Sequence, residues 1–219
     1  MGDRIGGIGR WIGGVGIDLS EERSDVNGLI SMANTVKIRP SQPEDSGAIA
    51  RVITAAFPEE GDIIVALVND LLKDPTAQPV VSCVAEIPGE SGTEVVGYIL
   101  FSNAWLDGDD RSESISMLAP LCVHPTYQKQ GIGGQLIEGA IQQLTELGVE
   151  LAFLLGYPSY YPRHGFSPAG QQGFEPTYPV PNKDADAWML REIKPGAAAT
   201  LRGKVICADA LNEPQHWRE

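Results

Sequence analysis

The chain has 219 residues, of which 42% are hydrophobic and 21% are charged, and its formal net charge is -13 at pH 7. These proportions are typical of a globular protein with one core, whereas the acidic balance disfavours nucleic acid and anionic membrane surfaces as partners. The three scattered cysteines and three histidines match neither a disulfide framework nor the ligand spacing of a metal site. No apolar run is long enough to span a bilayer or to act as a secretory signal, so we expect a cytoplasmic protein without a membrane or metal site.

The first 34 residues differ in composition from the rest of the chain. Six glycines are crowded around Trp11, and a polar stretch follows from Ser20 to Asn27. The glycine spacing does not match a dinucleotide-binding turn, and no strand precedes it. The composition predicts a flexible extension over residues 1–34, followed by one domain over residues 35–219. Because Met32 lies just before the first convincing strand, we expect the preceding residues to be dispensable.

The next part of the chain predicts a strand, two helices and three more strands. The first strand is expected at Val36–Arg39, and a helix then begins at Pro43–Asp45, with proline and acids in its first turn. A second apolar stripe runs from Ile63 to Leu72 at helical spacing and ends before Pro75. Three β-type runs follow at Val80–Ile87, Glu94–Ser102 and Ser114–Val123.

A clear amphipathic helix follows, with an apolar stripe from Leu136 to Leu147 and a stop at Gly148. Leu151–Leu155 is wholly apolar, which is typical of a strand that is covered on both faces. Later strands are expected near Ala187–Ile193 and Lys204–Ala208. This order predicts an α/β or α+β fold with a central mixed sheet.

The strongest local signal is the glycine-rich turn between the fourth predicted strand and the helix. A helix N-terminus presents unpaired N–H groups and partial positive charge, and glycines allow a bulky anion to approach them. The turn therefore indicates a pyrophosphate site, although a simple helix entry explains the turn alone equally well. The candidate residues are Gln128, Lys129, Gln130, Gly131, Ile132, Gly133 and Gly134.

The segment Leu118–Gly134 closely resembles the acetyl-CoA-binding segment of the GNAT superfamily of N-acetyltransferases. Its Q/R-x-x-G-x-G/A pattern is met by Gln128, Gly131 and Gly133, and an L-x-V element precedes it on the strand. Downstream, Tyr160–Phe166 resembles the family's Y-x-x-x-G-F element. The chain further resembles a bacterial subgroup of predicted acetyltransferases, and the resemblance covers residues 36–166 well and the remainder loosely.

The resemblance implies a central mixed, mostly antiparallel sheet flanked by helices, with a splayed fourth and fifth strand pair that holds the cofactor. It implies acetyl-CoA as acyl donor, with the backbone of Leu121, Cys122 and Val123 holding the pantetheine arm and the acyl carbonyl. Tyr161 matches the family tyrosine that protonates the departing CoA thiolate. A phenol of ordinary pKa stays protonated at neutral pH, so it is available as a proton donor. Tyr160 is the neighbouring alternative, and simple packing beside Phe166 is the alternative role.

The implied reaction is acetyl transfer to an amine by direct attack in a ternary complex. The acceptor is a small-molecule or peptide amine, and family members often form homodimers through their C-terminal strands. Glu113 is the first candidate for the general base, with Asp107, Asp109 and Asp110 nearby, although a solvated loop charge explains each of these acids better. Two alternatives keep the fold: a non-catalytic module that binds CoA or acyl-CoA, and a transferase for a longer acyl group.

Overall fold

The computed structural model describes residues 36–89, 92–108 and 114–217, together with the backbone of residues 15–16. The strands are β1 (Val15–Gly16), β2 (Lys37–Pro40), β3 (Val81–Gly89), β4 (Gly92–Leu106), β5 (Ile115–Val123), β6 (Leu151–Leu155), β7 (Ser167–Pro168), β8 (Phe174–Glu175), β9 (Trp188–Glu192) and β10 (Gly203–Cys207). The α-helices are α1 (Ser46–Ala56), α2 (Gly61–Leu71), α3 (Ile132–Glu146) and α4 (Ala197–Thr200).

The strands form one mixed sheet in the order β2-β3-β4-β5-β6-β9-β7, with β10 added beside β4 and β1 beside β5. Most neighbouring strands are antiparallel, and β5 and β6 are a parallel pair. The parallel pair requires a crossover connection, which α3 provides. The predicted fold class, a mixed and mostly antiparallel sheet flanked by helices, is confirmed.

The two faces of the sheet support two separate hydrophobic cores. One core packs α1 and α2 against strand residues such as Tyr98, Met117 and Phe153. The other packs α3 against residues such as Leu121 of β5 and Leu154 of β6, the strands that also carry Met117 and Phe153. Successive side chains of a strand point to opposite faces, so a sheet covered on both faces reads as continuous apolar runs.

The predicted elements agree with the structure at most positions. Leu151–Leu155 was expected as a strand and is β6 without change, and every predicted helix is present. The main difference is at β4, which continues to Leu106 instead of ending at Ser102. This extension is stabilised from a distance, because Val205 of β10 pairs with Leu106. The predicted extension over residues 1–34 lies outside the described residues, apart from the strand β1.

Within the described ranges, no helix combines the length and the hydropathy that crossing a membrane requires. The same ranges hold no group of three or more His, Cys, Asp or Glu side chains placed to bind a metal ion.

Candidate active site

The parallel strands β5 and β6 are paired over only part of their length. Their register pairs join Ile115–Met117 to Leu151–Phe153. Beyond these residues β5 continues to Val123 and β6 continues to Leu155. Among the described residues, no further register pairs join the two strands. The splayed strand pair expected from the sequence is therefore present, and it opens a wedge beside the C-terminal half of β5.

The side chains along this half of β5 are buried in the two cores. Those of Leu121 and Val123 belong to the α3-facing core, whereas that of Cys122 belongs to the opposite one. These three residues are at most 1% exposed, so a ligand in the wedge meets the strand through its backbone. Complete burial also raises the pKa of the Cys122 thiol far above its usual range, which makes it a poor nucleophile.

The turn after β5 is held against the strand by a side chain. Gln128 Nε2 donates a hydrogen bond of 3.0 Å to the carbonyl oxygen of Val123. Lys129 and Gly131 then adopt left-handed backbone conformations, with φ values of 61° and 77°. A Cβ built at Gly131 would meet no atom within 4 Å, so the outer side of the turn is open to a bulky group.

The helix α3 begins at this turn with N–H donors that lie outside its own hydrogen-bond ladder. Its first helical hydrogen bond runs from the Gln135 N–H to the Gly131 carbonyl, at 3.1 Å. Residues 132–134 precede this bond, so their N–H groups have no acceptor within the helix. The helix dipole adds partial positive charge at the same place. The side chain of Ile132 is 2% exposed and faces the core, so this residue can contribute only its backbone. A pyrophosphate fits this arrangement of donors, charge and space.

Two glycines of α3 have a packing role that the sequence alone did not reveal. A Cβ built at Gly134 would lie 2.8 Å from His164 Cε1, and one built at Gly139 would lie 2.8 Å from Ile38 Cγ2. Each distance is shorter than real Cβ contacts allow. Gly134 therefore allows the helix to approach the turn after β6, in addition to any part that it takes in binding an anion.

Tyr161 begins the short 3-10 helix Tyr161–His164, which follows β6. Its side chain is fully buried in the α3-facing core, the core that also contains Leu121 and Val123. The rings of Tyr160 and Phe166 lie edge-on to it, with centroid distances of 5.2 and 5.6 Å. Burial raises the pKa of the Tyr161 phenol well above its usual value, so the phenol keeps its proton at physiological pH.

The acids proposed as general base are not brought to the wedge by any described contact. Glu113, Asp109 and Asp110 lie outside the described residues. Asp107 is exposed and follows the end of β4, where its N–H donates to the Lys204 carbonyl at 2.8 Å. Ser114, the first described residue after the gap, is seven positions before Leu121, which is on the order of 20 Å along a strand. The role of Glu113 stays a prediction.

A family model described as acetyltransferase (GNAT) domain matches residues 81–168, a range that contains β3 to β7, the glycine turn and Tyr161. The uncharacterized N-acetyltransferase YjhQ of Escherichia coli K12 is 40% identical over 168 residues, which are 75% of this chain and 88% of YjhQ. The chain belongs to the GNAT acetyltransferase family. The uncharacterized N-acetyltransferase YhbS of Escherichia coli K12 is 30% identical over 142 residues, which are 65% of this GNAT chain and 80% of YhbS.

Solved structures of GNAT acetyltransferases agree with the fold. The crystal structure of YhbS from Escherichia coli in complex with CoA has a TM-score of 0.73 and 26% identity, and the match covers 85% of this chain and 97% of that one. A GNAT family acetyltransferase from Brucella melitensis in complex with acetyl-CoA has a TM-score of 0.58 and 29% identity, with 81% and 99% covered. The resemblance drawn from the glycine turn and the Y-x-x-x-G-F element is confirmed at the level of family and fold.

Proposed function

We propose that this GNAT chain transfers an acetyl group from acetyl-CoA to an amine, by direct attack within a ternary complex. The observation that carries the proposal is the wedge that β6 leaves beside Leu121–Val123, on the strand that precedes the N-terminus of α3. A long ligand fits this arrangement if its amides lie along β5 and its pyrophosphate lies at the N-terminus of α3. The crystallised relatives named above bind CoA and acetyl-CoA, which supports the same donor here.

The backbone of β5 and the glycine turn divide the binding of the donor between them. The pantetheine arm contains two amide groups, so it can pair with the edge of β5 that β6 leaves unpaired, as a strand would. The N–H groups of residues 131–134 and the charge of Lys129 bind the pyrophosphate. Binding at both ends fixes the thioester near Leu121–Val123, which reduces the entropy cost of the reaction with the acceptor.

The chemical step requires a stabilised oxyanion and a protonated leaving group. Backbone N–H groups of Cys122 or Val123 polarise the thioester carbonyl and stabilise the negative charge that develops on its oxygen. The amine nitrogen forms a bond to the carbonyl carbon, the carbon–sulfur bond breaks, and Tyr161 donates its phenolic proton to the sulfur. The proton that the amine loses returns the phenolate to its neutral form, either directly or through solvent.

The net charge of the chain and the burial of Cys122 favour an amine acceptor and a ternary complex. The net charge of -13 favours the approach of cationic molecules, of which protonated amines are the common class. A covalent acetyl-enzyme would need a nucleophile beside the thioester. Cys122 is the cysteine on β5, and its thiol is fully buried on the side away from Tyr161.

The first test is a thermal-shift titration with acetyl-CoA, run beside free CoA, succinyl-CoA and ATP. Acetyl-CoA at 100 times its Kd should stabilise the protein by about 2.7 kcal/mol, and ATP should have no comparable effect. Release of free CoA is then followed by thiol detection with polyamines, aminoglycosides, lysine and peptides with a free N-terminus. Acetyl-CoA-dependent release with any amine is the expected result.

Three outcomes would contradict the proposal in different ways. A flat response to every CoA compound would mean that the glycine turn is only a helix entry. Binding of acetyl-CoA without release in the presence of any amine would favour a non-catalytic CoA-binding module. A larger stabilisation and faster release with succinyl-CoA than with acetyl-CoA would favour a transferase for a longer acyl group.

A further inference from the structure

The edge of β5 that faces the wedge is in contact with another part of the same chain. Each β-strand has two edges that can form a ladder of hydrogen bonds. On one edge of β5, Leu121 and Cys122 are paired with Ile99 and Tyr98 of β4. On the other edge, β6 is paired with β5 only as far as Met117.

The short strand β1 is paired with β5 in parallel, with Val15 opposite Leu121 and Gly16 opposite Cys122. Since β4 already uses one edge at these two residues, β1 has to lie on the other edge, inside the wedge that β6 leaves open. A two-residue segment of the N-terminal region therefore lies at the place that the proposed function assigns to the pantetheine arm.

A peptide strand and a pantetheine arm make the same demand on this edge. Both present amide N–H and C=O groups at strand-like spacing, and both must use the N–H and C=O groups that alternate residues of the segment Leu121–Val123 direct toward this edge. One set of backbone groups cannot form both ladders at the same time. We infer that the strand Val15–Gly16 competes with acyl-CoA for the edge of β5 and so inhibits the enzyme from within its own chain, an inference that rests on the proposed function.

The composition of the segment suits this position. The sequence around β1 is Gly13–Gly14–Val15–Gly16, and glycine in a strand is typical where another backbone approaches closely. Residues 17–36 connect β1 to β2, so the pairing is intramolecular. A short tether gives a segment an effective concentration on the order of millimolar, which allows even a two-residue pairing to compete with a free ligand.

Competition has a measurable consequence for the donor. If the strand occupies the edge for about 90% of the time, the apparent Kd for acetyl-CoA is raised about tenfold. Saturating acetyl-CoA displaces the strand, so kcat is unchanged and only the apparent KM responds. The rate at low donor concentration therefore depends on the N-terminal segment, whereas the maximal rate does not.

The test uses the full-length chain with the double substitution Val15→Pro/Gly16→Pro, which removes both N–H donors of β1 and disfavours pairing. A second variant, Gly16→Glu, introduces bulk and negative charge instead. The matched control is Ser24→Pro/Asp25→Pro, which adds two prolines to the same N-terminal region but outside β1. Acetyl-CoA affinity is measured by calorimetry, and KM and kcat are measured by CoA release. Amide hydrogen exchange of residues 15–16 in the full-length chain is measured with and without acetyl-CoA.

We expect both β1 variants to bind acetyl-CoA three- to tenfold more tightly than the parent and the control, with kcat unchanged. In the parent, exchange at residues 15–16 should become faster when acetyl-CoA is added. Unchanged affinity in both β1 variants, with binding intact, would overturn this inference and leave the proposed function standing. Absence of acetyl-CoA binding in the parent and in all variants would instead overturn the proposed function, and the inference with it.

Discussion

The imidazole of His164 lies directly over the α-carbon of Gly134, so that a Cβ at this position would stand 2.8 Å from His164 Cε1. The two residues belong to the two segments that flank the wedge: Gly134 to the first turn of α3, and His164 to the turn after β6. Arg191 reinforces the contact, because its guanidinium donates to the His164 carbonyl and to both carboxylate oxygens of Glu138 in α3. The position of α3 is thus fixed by the segment that carries Tyr161.

Gly134→Ala should destabilise the protein by about 1–2 kcal/mol. The added methyl group raises helix propensity by roughly 1 kcal/mol, but the contact with His164 costs more than this in a packed site. In the background of His164→Ala the contact is absent, and Gly134→Ala should then be stabilising. Urea unfolding of both single variants and the double variant measures this change of sign.

Gly170→Ala is the matched control, since a Cβ there meets no atom within 4 Å and the residue has no positive φ. Its effect should remain within about 0.5 kcal/mol. Equal effects of Gly134→Ala with and without His164 would mean that the close contact is relieved at no cost, and that the helix position does not depend on it.

Lys129→Asn should weaken acetyl-CoA binding several-fold while leaving the fold intact. Asparagine tolerates the left-handed conformation that residue 129 adopts, so the substitution removes the charge without adding backbone strain. The loss should be larger at low ionic strength, because the exposed ammonium is screened by salt. Calorimetric titration at two salt concentrations checks this, with Lys194→Asn as a control outside the turn. A loss of affinity that does not depend on salt would contradict an electrostatic role.

Tyr161→Phe should lower kcat by about 10²–10³-fold and leave the Kd for acetyl-CoA within twofold. The matched control is Tyr160→Phe, which removes the neighbouring phenol and should retain most of the activity. Because burial holds the pKa of Tyr161 well above 10, its proton should remain available at every pH below 10. The pH profile of kcat should therefore show no descending limb from this group up to about pH 9.5. Equal losses in the two phenylalanine variants would remove the special role of Tyr161.

Cys122→Ala should retain turnover, since the thiol is fully buried and its pKa is raised by burial. Steady-state kinetics with varied acetyl-CoA and amine should give intersecting lines in double-reciprocal plots, as a ternary complex requires. Parallel lines, or acetyl transfer to the protein that disappears in Cys122→Ala, would support a covalent route instead.

The sequence predicted the features that local patterns encode. The apolar run Leu151–Leu155 and the stripe of α3 depend on neighbouring residues, and both elements are where they were expected. The contact between Gly134 and His164 joins residues that are thirty positions apart, so glycine spacing alone indicated only access for an anion. The pairing of β1 depends on the gap between β5 and β6, two strands that are far from Val15 in the sequence. No local pattern around Val15 predicts this pairing.

Arg39 connects β2 to β3 and to the first turn before α1, and its removal should make the protein less stable at neutral pH. Its guanidinium donates to both carboxylate oxygens of Asp45, at 2.7 and 2.9 Å, and to Glu86 Oε2 at 2.7 Å. The side chains of Asp45 and Glu86 are only 12% and 8% exposed, so screening by solvent is limited. We expect Arg39→Met to cost about 2–3 kcal/mol at pH 7, because two mostly buried carboxylates lose the guanidinium, although Glu86 keeps Lys37, whose Nζ is 3.1 Å from Glu86 Oε1.

The pH dependence of this effect follows from the carboxylates. The hydrogen bonds from Arg39 lower the pKa of both Asp45 and Glu86 below their usual values. Such groups stabilise the folded state above the pKa of the unfolded chain, near 4, and this contribution is lost as the pH falls through the folded values. The difference between the parent and Arg39→Met should therefore be largest at pH 6–7 and should shrink below pH 4. Urea unfolding at pH 7 and pH 3 measures both values, and Lys194→Met, which removes an exposed ion pair with Glu150, should cost less than 1 kcal/mol at either pH. A penalty for Arg39→Met that is equal at the two pH values would show that its packing, and not its charge, supports this corner of the sheet.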